Sequence, residues 1–188
     1  MQNILLAGDF TANQIETLLT TIKQMLAVTL TVYTKTPTTW PKEINVISGE
    51  LTDLSGLTAA MVDQDLVLTQ FDAGQLVSQT ETVLAALPVS NQARLVVASP
   101  DSILSLTNRP VKWYQQHHQR QRLAQLRTSE QLLGASGVNF TMLQGQTAAD
   151  MAIYTRAMQP EWLTAVPARR PLQLWDYLTV TTPWSLVA

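Results

Sequence analysis

The chain has 188 residues, 46% hydrophobic and 14% charged, which is enough apolar material for a sizeable core and too much for a disordered chain. Its formal net charge of −2 argues against a dedicated nucleic-acid binder, since phosphate contacts need clustered Lys and Arg. The absence of Cys removes disulfides, thiolate metal sites and Cys nucleophiles together.

The apolar run Ile4 to Ala7 is too short for a signal-peptide core, lacks a basic flank and ends in Gly-Asp. No segment approaches the roughly 20 apolar residues of a membrane helix. The expectation is a cytoplasmic protein with no membrane partner.

Asn3 to Ala7 is a continuous apolar run ended by Gly8, which predicts a strand buried on both faces of a parallel sheet. Ile15, Leu18, Leu19, Ile22, Met25 and Leu26 recur at the three- and four-residue spacing of an amphipathic helix. Val28 to Tyr33, rich in β-branched residues, predicts a second strand, and Ile44 to Ile47 a third. Leu54 to Val62 predicts a short helix with Asp53 as its N-cap, followed by a fourth strand at Asp65 to Thr69.

Gln75 to Leu87 carries another helical stripe, and Arg94 to Ala98 is a fifth buried strand stopped at Ser99-Pro100. Asp101 to Lys112 has no clear period and reads as a loop. A long helix follows from about Gln115 to Ala135, closed by Gly134 or Gly137, and then a sixth strand at Val138 to Leu143. Beyond Gln144 the pattern weakens: Ala148 to Met158 can be helical, Leu172 to Tyr177 can add a turn or two, and Leu178 to Thr182 can be a strand. This rhythm of βαβ units predicts an α/β protein with a doubly wound parallel sheet, one domain over residues 1–188.

A doubly wound sheet binds ligands outside the carboxyl ends of its strands, beside the first strand. The turn there reads Gly8-Asp9-Phe10-Thr11-Ala12-Asn13-Gln14-Ile15. Together with Val32-Tyr33-Thr34-Lys35-Thr36-Pro37, the segment Val46 to Asp53 and the stretch Ser129 to Leu143, this layout resembles the atypical short-chain dehydrogenase/reductase family, in particular its NmrA-like NAD(P)-binding proteins. The similarity runs in consistent order over roughly residues 3 to 147.

The resemblance implies a Rossmann-like fold, NADP or NAD as cofactor, and a small-molecule ligand. It places Gly8, Thr11 and Asn13 at the pyrophosphate turn, Lys35 at the 2′-phosphate of NADP, and Glu50 and Leu51 beside the adenine. It makes residues 144–188 a reduced C-terminal substrate or cap region. The sequence departs from the family at the glycines: of Gly-x-x-Gly-x-x-Gly only Gly8 survives, with Thr11 at the second glycine and Asn13 or Gln14 at the third. Thr11 would crowd a pyrophosphate, and Asp9 puts a negative charge beside one, while Thr and Asn side chains can also donate to phosphate.

The wider superfamily uses Tyr-x-x-x-Lys to pass a proton, the Lys lowering the Tyr pKa. Tyr114 is the candidate here, with His118 rather than Lys four residues on, and Ser99 stands where a catalytic Ser often lies. A solvated His and a plain Ser-Pro strand end read the same residues without chemistry. His117 and His118 diverge by about 100° on a helix, so no metal site is expected. Arg120, Arg122 and Arg127 with Lys112, the His pair, Trp113 and Tyr114 read as a solvated helix face, with a phosphate or polynucleotide surface as the alternative. Trp162, Trp175, Tyr177 and Trp184 either cap the sheet or pack on a partner chain, which includes a homodimer. Two readings stay open: an NAD(P)-dependent oxidoreductase or epimerase-type enzyme with weakened cofactor use, and a non-catalytic sensor or interaction module on the same scaffold.

Overall fold

The computed structural model describes residues 2–23, 28–36, 40–42, 44–87, 93–100, 103–108 and 112–144. Among the described residues, six strands form one parallel sheet: β1 (Gln2–Ala7), β2 (Val28–Thr34), β3 (Asn45–Ser48), β4 (Leu66–Gln70), β5 (Arg94–Ser99) and β6 (Phe140–Gln144). Their spatial order is β3-β2-β1-β4-β5-β6, so the chain reverses its direction of winding between β1 and β4. That reversal lies at the carboxyl ends of β1 and β4, the general ligand position of this topology.

The apolar runs become strands because both faces of the sheet are covered. Even-numbered Ile4 and Leu6 of β1 join Val32, Leu68, Val96 and Leu143 under α1 (Ala12–Lys23), which contributes Ile15 and Leu18. Odd-numbered Leu5 and Ala7 join Tyr33, Val67, Val97 and Met142 on the opposite face. That face is packed by α2 (Leu54–Ala60), α3 (Leu76–Ala86) and the 20-residue α5 (Gln116–Ala135). Leu5 and Leu6 are both completely buried, which is why β1 shows no alternation of polar and apolar residues.

Within the helical layer, α3 and α5 meet through a buried hydroxyl pair, Thr80 Oγ1 and Ser129 Oγ at 2.5 Å. α5 is mostly exposed and buries only Leu126, Ser129 and Leu133, spaced by three and four residues. His117, His118, Arg120, Arg122 and Arg127 lie on its exposed surface. The helix closes with the amide of Ser136 donating to Leu132 and Leu133, followed by Gly137 at φ +73.

One expectation is corrected. Residues 101–112 are not one loop, because α4 (Ile103–Asn108) lies within them. Leu106 is 9% exposed and packs with Ile103 against the layer of α5, so a six-residue helix is held by two apolar contacts three positions apart. So short a helix carries too little periodicity to stand out in sequence. A 3-10 turn at Trp113–Gln115 also precedes α5. The helix expected at Ala148 to Met158, the elements expected at Leu172 to Thr182 and the aromatics Trp162, Trp175, Tyr177 and Trp184 lie outside the described residues. Among the described residues, no helix is long and apolar enough to cross a membrane.

Candidate functional site

The carboxyl ends of β1, β2, β3 and β4 gather the first turn, the end of β2 and the loop after β3 into one rim. Gly8 follows directly on β1, and its amide donates to the carbonyl of Tyr33 at 2.8 Å. Its φ is +120, and a Cβ there would overlap the carbonyl oxygen of Gln70 at the end of β4. Only glycine meets both conditions, so this residue lets β1 turn out of the sheet while lying against β4.

α1 then begins with a capping box. Thr11 is the N-cap: its Oγ1 accepts from the Gln14 amide at 3.4 Å, and the Gln14 Oε1 accepts from the Thr11 amide at 2.8 Å and the Thr11 hydroxyl at 3.0 Å. The spacing Thr-x-x-Gln encodes this motif, so the two positions that lost glycines now satisfy the helix end themselves. The box engages the amides of Thr11 and Gln14. The amides of Ala12 and Asn13, in the first turn of α1, remain directed out of the helix end by its geometry. The side chain of Asn13 lies outside the described residues.

Asp9 does not point along the axis of α1. Its Oδ1 accepts from the Thr34 hydroxyl at 2.8 Å and the Lys35 amide at 3.2 Å, tying the first turn to the end of β2. Lys35 is 37% exposed and its Nζ lies 3.6 Å from Glu50 Oε1, a surface pair whose contribution is small. Glu50 also accepts from the Thr52 hydroxyl at 3.4 Å, and Leu51 is buried at 5% beneath this loop.

Behind it, Asp53 caps α2. The Ser55 hydroxyl and then the Gly56 amide hold its carboxyl below the usual carboxylate range. Tyr33 is 1% exposed with its hydroxyl 3.5 Å from Asp53 Oδ2; burial, then the Asp53 charge, pushes its phenol up to about 12. A folded-state pKa above the unfolded value of about 10 makes the neutral phenol a stabilising feature that is complete below pH ~10 and lost as pH rises from there to about 12. Thermal melts across that range should therefore show a loss of Tm that Tyr33→Phe reduces; equal losses in both proteins would contradict the assignment.

The structure brings Gly8, Thr11, Lys35, Glu50 and Leu51 to one rim. It places the two proton-transfer candidates differently. Ser99 ends β5 and is completely buried, whereas Tyr114 is 53% exposed, its ring 6.0 Å from the Lys112 ammonium. One rim residue escaped the sequence reading, and another, Gln14, entered it only as a position of the lost third glycine. Gln14 was legible in the capping-box spacing. Gln70 ends β4 beside Gly8, and its Oε1 is buried with no protein hydrogen-bond partner. A polar residue closing β4, after Leu66 to Leu68 and Thr69, was its only signal.

Gly8, the amides of Ala12 and Asn13, and the orphaned Gln70 oxygen are groups a dinucleotide can use. They fit a phosphate at the α1 end and a hydrogen-bond donor beside β4.

The parallel strand order and this rim define a Rossmann-like fold with its ligand position beside β1. Residues 11–161 match the NAD(P)H-binding family, and the chain belongs to that family. Solved structures agree on the fold. A Rossmann-fold NAD(P)-binding family protein from Shigella flexneri aligns with TM-score 0.56 and 22% identity, over 77% of this chain and 66% of its own. A wide-type short-chain dehydrogenase/reductase from Veillonella parvula, in complex with NADP, aligns with TM-score 0.51 and 18% identity, over 76% and 68%. An NADPH-dependent quinone oxidoreductase from Escherichia coli, complexed with NADPH, aligns with TM-score 0.54 and 15% identity, over 84% and 54%. The aligned part is thus about half to two thirds of those chains. Among curated proteins, none matches the sequence.

Proposed function

We infer that this chain is an oxidoreductase-like, NmrA-type protein that binds a nicotinamide dinucleotide at the carboxyl ends of β1 and β4, with a looser hold than a glycine-rich turn gives. Gly8 and the amides of Ala12 and Asn13 meet the pyrophosphate, and Gln70 takes a donor from the ligand. Lys35, Glu50 and Leu51 border the adenosine end. The observation that carries this reading is Gly8 at φ +120 against Gln70, a close approach that only glycine allows, at the point where the sheet reverses. The hold is looser because the capping box takes the amides of Thr11 and Gln14 and leaves a Thr11 side chain at the α1 end.

When bound, the nicotinamide supplies a hydride donor or acceptor. The chain's own contribution to proton movement then falls to Tyr114 and Ser99. Their opposite burial favours a second reading, in which the scaffold senses a dinucleotide without turnover. On either reading the protein works in the cytoplasm.

Calorimetric titration with NADH tests the binding. The expected result is a micromolar to submillimolar dissociation constant that tightens several-fold in Thr11→Gly, because glycine is nearly as good an N-cap and removes the side chain that crowds the ligand. No heat of binding at millimolar NADH in either protein would end this reading. Turnover of NADH with a quinone acceptor separates the enzyme from the sensor.

A further inference from the structure

Lys35 stands where the family resemblance places a contact to the 2′-phosphate of NADP, yet the donors around it are already engaged. The Thr34 hydroxyl, on a residue only 1% exposed, and the Lys35 amide both donate to Asp9 Oδ1, at 2.8 and 3.2 Å. The Lys35 ammonium is turned to Glu50 at 3.6 Å. Among the described residues, Asp9, Glu50 and Asp53 gather with Lys35 around the end of β2, a set that is acidic on balance.

We propose that Asp9 is the residue that sets cofactor choice, selecting NAD(H) and rejecting NADP(H). Rossmann proteins that prefer NAD commonly supply a carboxylate from the end of the second strand to accept from the ribose 2′-hydroxyl. Here that strand end reads Tyr33-Thr34-Lys35 and carries no carboxylate. Asp9 brings one to the same place from the first turn, across 25 residues of sequence. A ribose hydroxyl arriving there meets an acceptor. A 2′-phosphate arriving there meets a like charge, and it finds the hydroxyl and amide that would have bound it donating to a carboxylate.

This inference rests on the dinucleotide reading above, and one experiment tells their failures apart. NADH and NADPH are titrated separately into the wild-type protein, Asp9→Asn and Asp9→Ala, with folding checked by circular dichroism. The expected wild-type result is NADH bound more than about tenfold tighter than NADPH, the scale of a like-charge penalty at a partly exposed site. Asp9→Asn should bring the ratio toward unity by removing the charge. Asp9→Ala should do so further by freeing the Thr34 hydroxyl and the Lys35 amide. Equal binding, or tighter NADPH binding, by the wild-type protein would overturn the role of Asp9 and leave the dinucleotide reading in place. Binding of neither cofactor would overturn both. The wild-type comparison decides the matter even if a variant does not fold.

Discussion

Replacing Gly8 by Val should lower the stability of the folded chain by about 3 kcal/mol or more and abolish binding of any dinucleotide. Two penalties combine. A β-branched residue at φ +120 carries backbone strain on the order of 1–3 kcal/mol, and its Cβ would overlap the Gln70 carbonyl, which is sheet backbone and cannot move without disturbing β4. For a domain of this size each kcal/mol lowers Tm by roughly 2–4 °C, so a fall of roughly 6–12 °C is expected. Gly134 is the internal contrast: it is exposed within α5 and nothing lies near a Cβ added there. Gly134→Ala should raise stability by about 0.5–1 kcal/mol through helix propensity alone. A Gly8→Val protein that melts with the wild type would refute the close approach of β1 and β4.

The second large effect belongs to Phe10. It lies in the first turn but is 6% exposed, its ring edge-on to Trp40 with centroids 6.0 Å apart and planes at 83°. Through it the turn that carries Gly8, Asp9 and the capping box is fastened to the core beneath α1. Phe10→Ala should cost about 3–5 kcal/mol, the range for emptying a buried aromatic position. The same change should loosen NADH more than a distant core truncation of equal cost, such as Leu133→Ala beneath α5. Thermal melts paired with NADH titration check this. Equal losses of affinity in the two variants would mean that Phe10 stabilises the fold without positioning the turn.

The order of strands and helices was legible because β1, β4 and β5 hold short apolar runs, β2 is rich in β-branched residues, and α1 and α3 carry apolar stripes. Asp53 as the cap of α2 was legible for the same local reason: its side chain accepts from the Ser55 and Gly56 amides two and three residues on. The rim was legible only in part. Gly8 announced itself by its place after β1. Thr11 was read as a lost glycine, whereas in the structure it is half of a capping box, a pairing its spacing to Gln14 already encoded. The reach of Asp9 to Thr34 and the orphaned Gln70 oxygen were not legible. Both depend on which strands lie side by side, Ala7 against Tyr33 and against Thr69, and periodicity along the chain does not carry that register.

Backbone amide spectra of the isotope-labelled protein, recorded during an NADH titration, test the central claim most directly. The account predicts saturable shifts at Gly8, Ala12, Asn13, Lys35 and Gln70, with the amides of α5 around Arg120 and Arg122 unmoved. Shifts confined to α5, or none at millimolar NADH, would contradict it.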